Sequence, residues 1–574
     1  MDLRSMSVRF GTPAALATLV ACQPAVSPAV SVPTQPVAAA APAPTVSAIA
    51  MPTVLPSGAA VTLEPIKDQV VLVDQVGYLP ARPKIGLVAD AVATSFQIVD
   101  VSRSRSVFEG RLGEPMRDPD TGQVLRRADF SKLEQPGSYT LQVQGTGRSP
   151  EFRIAEDVYR ELYASALTSY EQLAALAPAP LQTATAKERK TGQVIDISGG
   201  WPDAGDYGRY MPSAASTMAT LLLLDDLFPQ HATAEQLRVF RCELDWMLRM
   251  QRSDGAVYHK VTPLNFGGFD KGSDNIGGEL FVFDASTPDT AVFSAVLAEA
   301  ARVYRPLDPT YADLLLSAAQ KSWAWLVANP KPLLPAETEG TGSYVYGRDG
   351  SQRYWAAAEL FKTTGDPVYA AYVRTYLDQH SPAISTLGWG NPETYGALSL
   401  AFNDFAEPAL RKQIVQQLSR WADSMVTTVG SPVDPWGMSI SAFHWASNKT
   451  TLDNAVLLLV ANWATPNPHY VDAALDQLHY VLGRNGLAKS YITGYGTNSV
   501  KSPHNRTMFT LGRLVPGVLV GGPNGDGQDG LTPPGKGQRS YVDELKAYAS
   551  NENSVEYNAP LVFVTALFSS MSGG

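Results

Sequence analysis

The segment "PDTAVFSAVLAEAARVY", residues 288–304, has the apolar spacing that decides the fold of most of this chain. At helical periodicity its apolar residues share one face, at Val292, Val296, Ala300 and Val303. Thr287 stands before a proline, a pairing that favours a helix N-cap followed by the first turn. The segment therefore predicts a helix.

Segments of this kind recur to the end of the chain. About twelve can be counted, near residues 157–177, 210–228, 233–252, 288–304, 309–328, 352–364, 367–379, 394–404, 407–427, 450–463, 469–483 and 558–571. Loops rich in Gly, Trp, Asn and Pro connect them. Helices in pairs over residues 157–574 predict an all-α (α/α)6 barrel. A solenoid of helix pairs is the alternative, although no fixed repeat length is visible.

Residues 63–156 have a different character. Short β-rich runs such as "VVLVDQVGYL" and "SYTLQVQG" are separated by turn sequences such as "DPDTGQ" and "QPGS". Regular short strands with turn signals predict a small all-β sandwich. No cluster of catalytic residue types occurs in this part of the chain.

The N-terminus has the pattern of an exported protein. A short apolar run after two arginines predicts a signal peptide over residues 1–21. The sequence "LVAC" that ends at Cys22 resembles the bacterial lipobox, so we expect a lipid anchor on Cys22 and an outer-membrane lipoprotein, on the periplasmic face or the cell surface. An ordinary signal peptide with an incidental cysteine is the alternative. Residues 22–62, rich in Pro and Ala, predict an extended tether.

Composition narrows the function. The net charge of −10 argues against a nucleic-acid partner, which requires a basic face. The 10 Trp and 24 Tyr suit a protein that binds flat sugar rings, and equally a large core. With only two cysteines, Cys22 and Cys242, we expect no disulfide framework and no cysteine-based zinc site.

The first candidate for chemistry is "GGWPDAGDYGRY", residues 199–210. Its glycines allow the backbone to approach a ligand, and Asp203 and Asp206 lie three residues apart. Paired carboxylates can position and deprotonate a water molecule. A turn, or an N-cap for the helix that follows, is the structural alternative.

The second candidate is "SYITGYGTNSVKSPHNR", residues 490–506. His504 and Arg506 alternate on a predicted extended loop, so their side chains would point the same way. Both suit sugar hydroxyls or a carboxylate partner, although a histidine alone often has a purely structural role.

The third candidate is "YVDELKAYASNENSVEYNAP", residues 541–560, which precedes an apolar final helix. A glutamate among asparagines and aromatic residues could have a raised pKa and donate a proton. A solvated acidic loop is the alternative.

Together the three segments resemble glycoside hydrolase family 9, the cellulase family with an (α/α)6 barrel. "PDAGDY" resembles its Asp-Ala-Gly-Asp segment, and the His and terminal segments follow its patterns in order. "VDQVGYLP" and "PGSYTLQV" resemble the immunoglobulin-like module that precedes many of these catalytic domains. The resemblance covers about residues 66–574 and implies an immunoglobulin-like sandwich before the barrel.

The resemblance implies catalytic roles residue by residue. The second aspartate of the Asp-Ala-Gly-Asp segment is the family's general base, here Asp206, and the first, Asp203, holds the attacking water. The glutamate of the terminal motif is the general acid, here Glu552. Asp543 in the same motif supports the site.

The resemblance also implies contacts with sugar. These residues are His504, Arg506, Tyr557 and His259, with Trp389, Trp436 and Trp445 as candidate stacking platforms that could instead belong to the core. The chemistry requires no cofactor. Calcium is a candidate structural ion, because Asp270, Asp274 or Glu279 could supply oxygen ligands, although their spacing is not diagnostic.

We therefore expect an inverting β-1,4-glucanase acting on cellulose-type glucans or cello-oligosaccharides. A monomer is expected. An exo-β-glucosaminidase of the same fold is the alternative, and a product profile on cellohexaose against chitosan oligomers separates the two. A non-catalytic surface glycan-binding protein is a third hypothesis, which retention of all the carboxylates disfavours.

Overall fold

A computed structural model describes residues 62–66, 69–176, 185–269, 276–336, 340–381 and 384–570. The predicted signal peptide, Cys22 and nearly all of the predicted tether lie outside these residues. Within them, no helix is both long enough and apolar enough to cross a membrane.

The N-terminal domain is the predicted β-sandwich. One sheet has the strand order β1-β3-β7-β6, and the other has the order β2-β10-β8-β4-β5 with β9 paired to β8. The strands are β1 Val71–Leu72, β2 Gly77–Tyr78, β3 Ile85–Val88, β4 Ser95–Asp100, β5 Arg105–Arg111, β6 Met116–Arg117, β7 Val124–Asp129, β8 Gly137–Val143, β9 Gly147–Arg148 and β10 Phe152–Ile154.

The rest of the described chain is the predicted helical barrel. All twelve predicted helices are present, and two further helices, α12 and α13, are short. The helices are α1 Arg160–Ala175, α2 Met211–Leu227, α3 Ala234–Arg249, α4 Thr287–Tyr304, α5 Pro309–Ala328, α6 Gly350–Thr364, α7 Pro367–Leu377, α8 Pro392–Ala401, α9 Pro408–Val429, α10 Ser447–Ala464, α11 Pro468–Val481, α12 Arg506–Leu511, α13 Tyr548–Asn551 and α14 Val555–Ser570.

The helices form two rings because their surfaces differ. Helices α2, α4 and α10 are buried around almost their whole circumference, whereas α9 buries only a narrow apolar stripe. Helices α2, α4, α6 and α8 pack in succession, α10 packs on α14 and α14 on α2, and α9 contacts both α8 and α10. A helix that is apolar all round must lie inside the barrel, and an amphipathic one belongs outside.

Several predicted helix boundaries shift by up to three residues, and two of the shifts concern capping or the candidate site. Helix α4 is capped by Ser286, not Thr287, because the Ser286 hydroxyl accepts the Asp289 N–H at 3.1 Å. Helix α14 begins at Val555, three residues before the predicted start, so Glu556 and Tyr557 are helical.

Short strands in the connecting loops were not predicted. They form a sheet of order β12-β11-β16-β15-β13 and a pair β14-β17 at the end of the barrel that carries the candidate residues. These strands are β11 Thr185–Glu188, β12 Val194–Asp196, β13 Arg209–Tyr210, β14 Val257–Tyr258, β15 Lys260–Thr262, β16 Phe281–Val282 and β17 Ala285–Ser286.

Buried polar contacts join the sandwich to the barrel. The Gln75 side chain donates to the Ala488 carbonyl at 2.7 Å and accepts the Asn498 N–H at 2.8 Å. Asp74 accepts from the His479 ring at 2.8 Å and from the Tyr159 hydroxyl at 3.2 Å. Because Asn498 lies on the loop that leads to His504, the sandwich supports one wall of the candidate site.

Replacing Gln75 with Ala should destabilise the barrel as well as the sandwich. The substitution removes the buried bond to the Ala488 carbonyl and leaves the partly buried Asn498 N–H without its acceptor, which together cost about 1–3 kcal/mol. Thermal unfolding followed by calorimetry should show a midpoint lowered by several degrees. Gln97→Ala, which removes a surface bond from β4 to Glu109, is the matched control and should leave the midpoint unchanged. Equal midpoints for the Gln75 variant and the wild type would contradict the supporting role.

Candidate active site

One cavity of about 870 Å³ collects most of the predicted residues. The eight that line it are Asp203, Asp206, Trp389, Trp445, His504, Arg506, Glu552 and Tyr557. Asp203 and Glu552 lie 349 positions apart in sequence, so the packing of the barrel brings them together. The other three predicted residues, His259, Trp436 and Asp543, lie elsewhere.

Gly205 is the point of contact between the aspartate loop and Glu552. Its N–H donates to Glu552 Oε1 at 3.1 Å, and a Cβ at this position would lie only 2.8 Å from the same oxygen. That Cβ would also overlap the carbonyl oxygen of His504. Only glycine therefore allows the aspartate loop, His504 and Glu552 to meet.

Glu552 has an extended backbone conformation and is held between two loops. It pairs with His504 through a parallel bridge, and its carbonyl accepts the Gly521 N–H at 2.8 Å. Burial, followed by the charges of Asp206 and Asp203, raises the pKa of Glu552 to about 8. The carboxyl is therefore protonated at neutral pH and able to donate a proton.

Asp206 has partners that favour its ionised form. Its Oδ2 accepts the Tyr210 hydroxyl at 2.9 Å and the Gly208 N–H at 3.1 Å. Burial raises the pKa of Asp206, but these hydrogen bonds and the charge of Arg506 oppose the shift. Among the three acids this carboxylate has the environment best suited to accept a proton.

Asp203 is buried with fewer partners. Its Oδ2 accepts the Tyr344 hydroxyl at 2.7 Å, whereas its Oδ1 has no hydrogen-bond partner within the described part of the chain. Burial, followed by the charge of Asp206, raises the pKa of Asp203 to about 7. Asp203 thus retains a proton to a higher pH than an ordinary aspartate.

His504 and Arg506 both face the cavity, but they are also structural. His504 Nδ1 lies 2.8 Å from the Leu545 carbonyl, which can only accept, so Nδ1 carries the proton and Nε2 is left to accept. Burial lowers the pKa of His504 to about 4, so the ring is neutral. Arg506 begins helix α12 and donates to the carbonyls of Gly267 and Gly205. The predicted extended loop therefore ends one residue before Arg506.

The aromatic wall has two parts. Trp445 donates its indole N–H to the Tyr557 hydroxyl at 2.7 Å. Trp389 packs edge-on against Tyr344, with ring centroids 5.2 Å apart. Both parts of the wall present apolar ring faces of the kind on which sugar rings stack.

Two of the sugar-contact predictions are corrected by the structure. Trp436 lies at the interface with the sandwich, where its indole N–H donates to Asp118 at 3.2 Å. His259 is buried, and its ring contacts Asp289 at 2.8 Å and the Ser343 carbonyl at 3.3 Å. His259 therefore supports the loop that carries Tyr344 and does not line the cavity.

Asp543 lies behind the His504 loop. Its carboxylate accepts the backbone N–H groups of Lys501 and Ser502, each at 2.8 Å, and the Lys489 ammonium at 2.7 Å. Asp543 thus holds the segment that carries His504 in place, and its role is to support the site.

The calcium prediction falls largely outside the structure. Asp270 and Asp274 are not among the described residues, and Glu279 forms a surface ion pair with Lys187 at 3.2 Å. Across the described ranges, no group of three or more His, Cys, Asp or Glu side chains is arranged to hold a metal ion.

Sequence reasoning missed the residues on loops without a motif. Tyr344 contacts Asp203 from a loop 141 positions away, in a left-handed backbone conformation with φ of 39°. Tyr210 lies within the first candidate segment, but no role was predicted for it. Its position four residues after Asp206, at the start of a helix, was the available signal.

Comparison with known proteins identifies the class. The model of Glycosyl hydrolase family 9 matches residues 158–565, and that of the Cellulase N-terminal ig-like domain matches residues 67–148. The chain therefore belongs to glycosyl hydrolase family 9, and it is a glycoside hydrolase with an N-terminal immunoglobulin-like domain.

Individual relatives span nearly the whole described chain. Endoglucanase D of Acetivibrio thermocellus is 32% identical over 87% of this chain and 83% of its own length. A cellodextrinase of Butyrivibrio fibrisolvens is 32% identical over 86% of this chain and 98% of its own. The crystal structure of a metagenome-derived glycoside hydrolase family 9 endoglucanase superposes with a TM-score of 0.82 and 37% identity, covering 87% of this chain and 99% of that one.

Tyr210→Phe should move the acidic limb of the pH profile upward. The variant removes a hydrogen bond that favours the ionised form of Asp206, so the pKa of Asp206 rises and a higher pH is needed to deprotonate it. Charge-assisted hydrogen bonds are worth about 1.5–3 kcal/mol, so we expect the acidic limb of the kcat/KM profile to shift by about one to two pH units.

The other charged groups that act on Asp206 are Asp203, Glu552, Arg506 and Lys260, and the substitution leaves all of them in place. Tyr541→Phe, which removes a buried tyrosine hydroxyl bonded to Asn551, is the matched control. If the Tyr210 variant is slower but the acidic limb of its pH profile does not move, Tyr210 contributes only packing and does not set the pKa of Asp206.

Proposed function

We propose that this glycoside hydrolase is an inverting β-1,4-glucanase acting on cellulose-type glucans or cello-oligosaccharides. The observation that carries the proposal is the meeting of Glu552 with the Asp203–Asp206 loop in one cavity walled by Trp389 and Trp445. The names of its relatives, an endoglucanase and a cellodextrinase, support the same substrate class.

The two acids have separate roles in the proposed reaction. Glu552 gives its proton to the glycosidic oxygen as the bond to the leaving sugar breaks. Asp206 takes a proton from a water molecule that attacks the anomeric carbon from the opposite face, and Asp203 orients that water. Because the water lies between base and sugar, we expect the two carboxyl groups to stand roughly 6.5–9.5 Å apart with substrate bound. Carboxyl groups and water supply every proton in these steps.

The cavity suits an uncharged, ring-shaped substrate. The Tyr557 hydroxyl is already bonded to Trp445, so their rings are fixed in place before substrate arrives. Fixed aromatic faces lose little conformational entropy when a sugar stacks on them. Neutral His504 can accept a sugar hydroxyl through Nε2 without adding charge.

Glu552→Gln and Asp206→Asn should fail in different ways. On cellotetraose, where the leaving sugar needs a proton, each should lose about 10³-fold or more in kcat. On 2,4-dinitrophenyl β-cellobioside, whose leaving group needs no proton, Glu552→Gln should recover most of its activity, whereas Asp206→Asn should stay inactive.

Glu544→Gln, an exposed acid eight residues before Glu552, is the matched control and should behave as the wild type. Circular dichroism of all the variants confirms folding. Equal losses for the Glu552 variant on both substrates would remove the proposed acid role.

We further infer that the protein is exported and held by lipid on Cys22, at the outer membrane. The support is the lipobox-like "LVAC" sequence followed by the Pro- and Ala-rich stretch of residues 23–62. Cells expressing the full chain and fed a labelled fatty acid should yield a labelled protein in the membrane fraction. Cys22→Ser should be unlabelled, with activity shifted to the soluble fraction. An unlabelled wild-type protein would contradict the anchor.

A further inference from the structure

A fourth carboxyl group lies in the cavity and has no role in the proposed reaction. Glu556 is in the first turn of α14, four residues after Glu552, and its side chain is only 8% exposed. It lines the same cavity as Asp203 and Glu552. A carboxylate buried to this degree normally has all its oxygens paired, so its contacts indicate what it does.

Within the described residues, only one oxygen of Glu556 accepts hydrogen bonds. Oε1 accepts the Ser216 hydroxyl at 2.6 Å and the Trp389 N–H at 2.9 Å. Oε2 has no hydrogen bond to any described residue, although it belongs to a side chain on the cavity wall. The first oxygen therefore fixes the Trp389 loop, and the second remains as an acceptor for whatever occupies the cavity.

Lys449 lies beside Glu556 on the same wall. Its ammonium donates to Asp453 at 2.6 Å and to the Leu387 carbonyl at 3.0 Å, and it stands 3.9 Å from Glu556 Oε1. Burial acts against the charge, but Asp453 and Glu556 outweigh it and raise the pKa of Lys449. Two of its three protons are used, so a cationic donor adjoins the free acceptor.

We infer that Glu556 and Lys449 form a specificity-determining pair that binds neighbouring hydroxyls of the sugar lying against Trp389. Each sugar hydroxyl both donates and accepts, so adjacent hydroxyls complement an acceptor beside a donor. The pair therefore selects sugars that carry two free adjacent hydroxyls at this position. This inference rests on the proposed glucanase activity and names a determinant of its substrate.

Glu556→Gln separates the two functions of the side chain. The amide oxygen can keep the bonds from Ser216 and Trp389, while the amide nitrogen replaces Oε2 and turns the free acceptor into a donor. On 4-nitrophenyl β-cellobioside we expect kcat/KM to fall about tenfold or more, mainly through KM. Glu544→Gln, the exposed acid already used as a control, removes a carboxylate outside the cavity, and it should change kcat/KM by less than about threefold.

Deoxy substrates distinguish direct binding of a sugar hydroxyl by Glu556 from a purely structural role of this side chain. The substrates are 4-nitrophenyl β-cellobiosides that each lack one hydroxyl. Removing the hydroxyl bound by Glu556 should cost the wild type about tenfold and cost Glu556→Gln almost nothing more. Identical penalties in both enzymes at every position would overturn the inference, as would a loss for Glu544→Gln equal to that of Glu556→Gln.

The same assay separates this inference from the proposed function. A wild type that hydrolyses the parent cellobioside upholds the glucanase activity whatever the variants show. A wild type that leaves the parent cellobioside intact would overturn the proposed function, whereas equal penalties in both enzymes on the deoxy substrates would overturn only this inference.

Discussion

The site depends on the close approach of Gly205 to Glu552. The backbone N–H of Gly205 donates to the Glu552 carboxyl, and there is no room for a side chain between them. This contact joins the loop before helix α2 to the segment before helix α14, two inner helices that pack together. The barrel therefore sets the geometry of the site as well as enclosing it. It fixes, through one hydrogen bond to backbone, how far the proton donor stands from the aspartates.

Burial alone would make all three acids alike, so their differences arise from their partners. Desolvation raises the pKa of Asp203, Asp206 and Glu552. Asp206 receives a tyrosine hydroxyl, a backbone N–H and the charge of Arg506, which oppose that shift. Glu552 receives only a single backbone N–H, and burial with the charges of Asp206 and Asp203 outweighs that bond and the charge of Arg506, so its pKa rises to about 8. One cavity can thus hold a proton acceptor and a proton donor at the same pH.

Most of the fold could be predicted from the sequence, because outer helices such as α9 carry an apolar stripe at helical spacing and inner helices such as α2 are long, mostly apolar segments. The acids could be predicted because they lie in recognisable segments. Trp436 could not be placed, since a tryptophan suits a sugar platform and a domain interface equally well. Tyr344 and Lys449 were missed for a different reason. They reach the cavity through tertiary packing from segments without a motif, and a single sequence holds no signal for such contacts.

The arrangement of the two acids has one consequence that an NMR spectrum can test directly. If Asp206 activates water on the face opposite the bond that Glu552 protonates, hydrolysis must invert the anomeric carbon. Proton NMR during the first minutes of cellohexaose hydrolysis distinguishes the anomers before they equilibrate. We predict that the new reducing end appears first as the α anomer. Initial appearance of the β anomer would contradict the account, because it would require one of these carboxylates to attack the sugar itself.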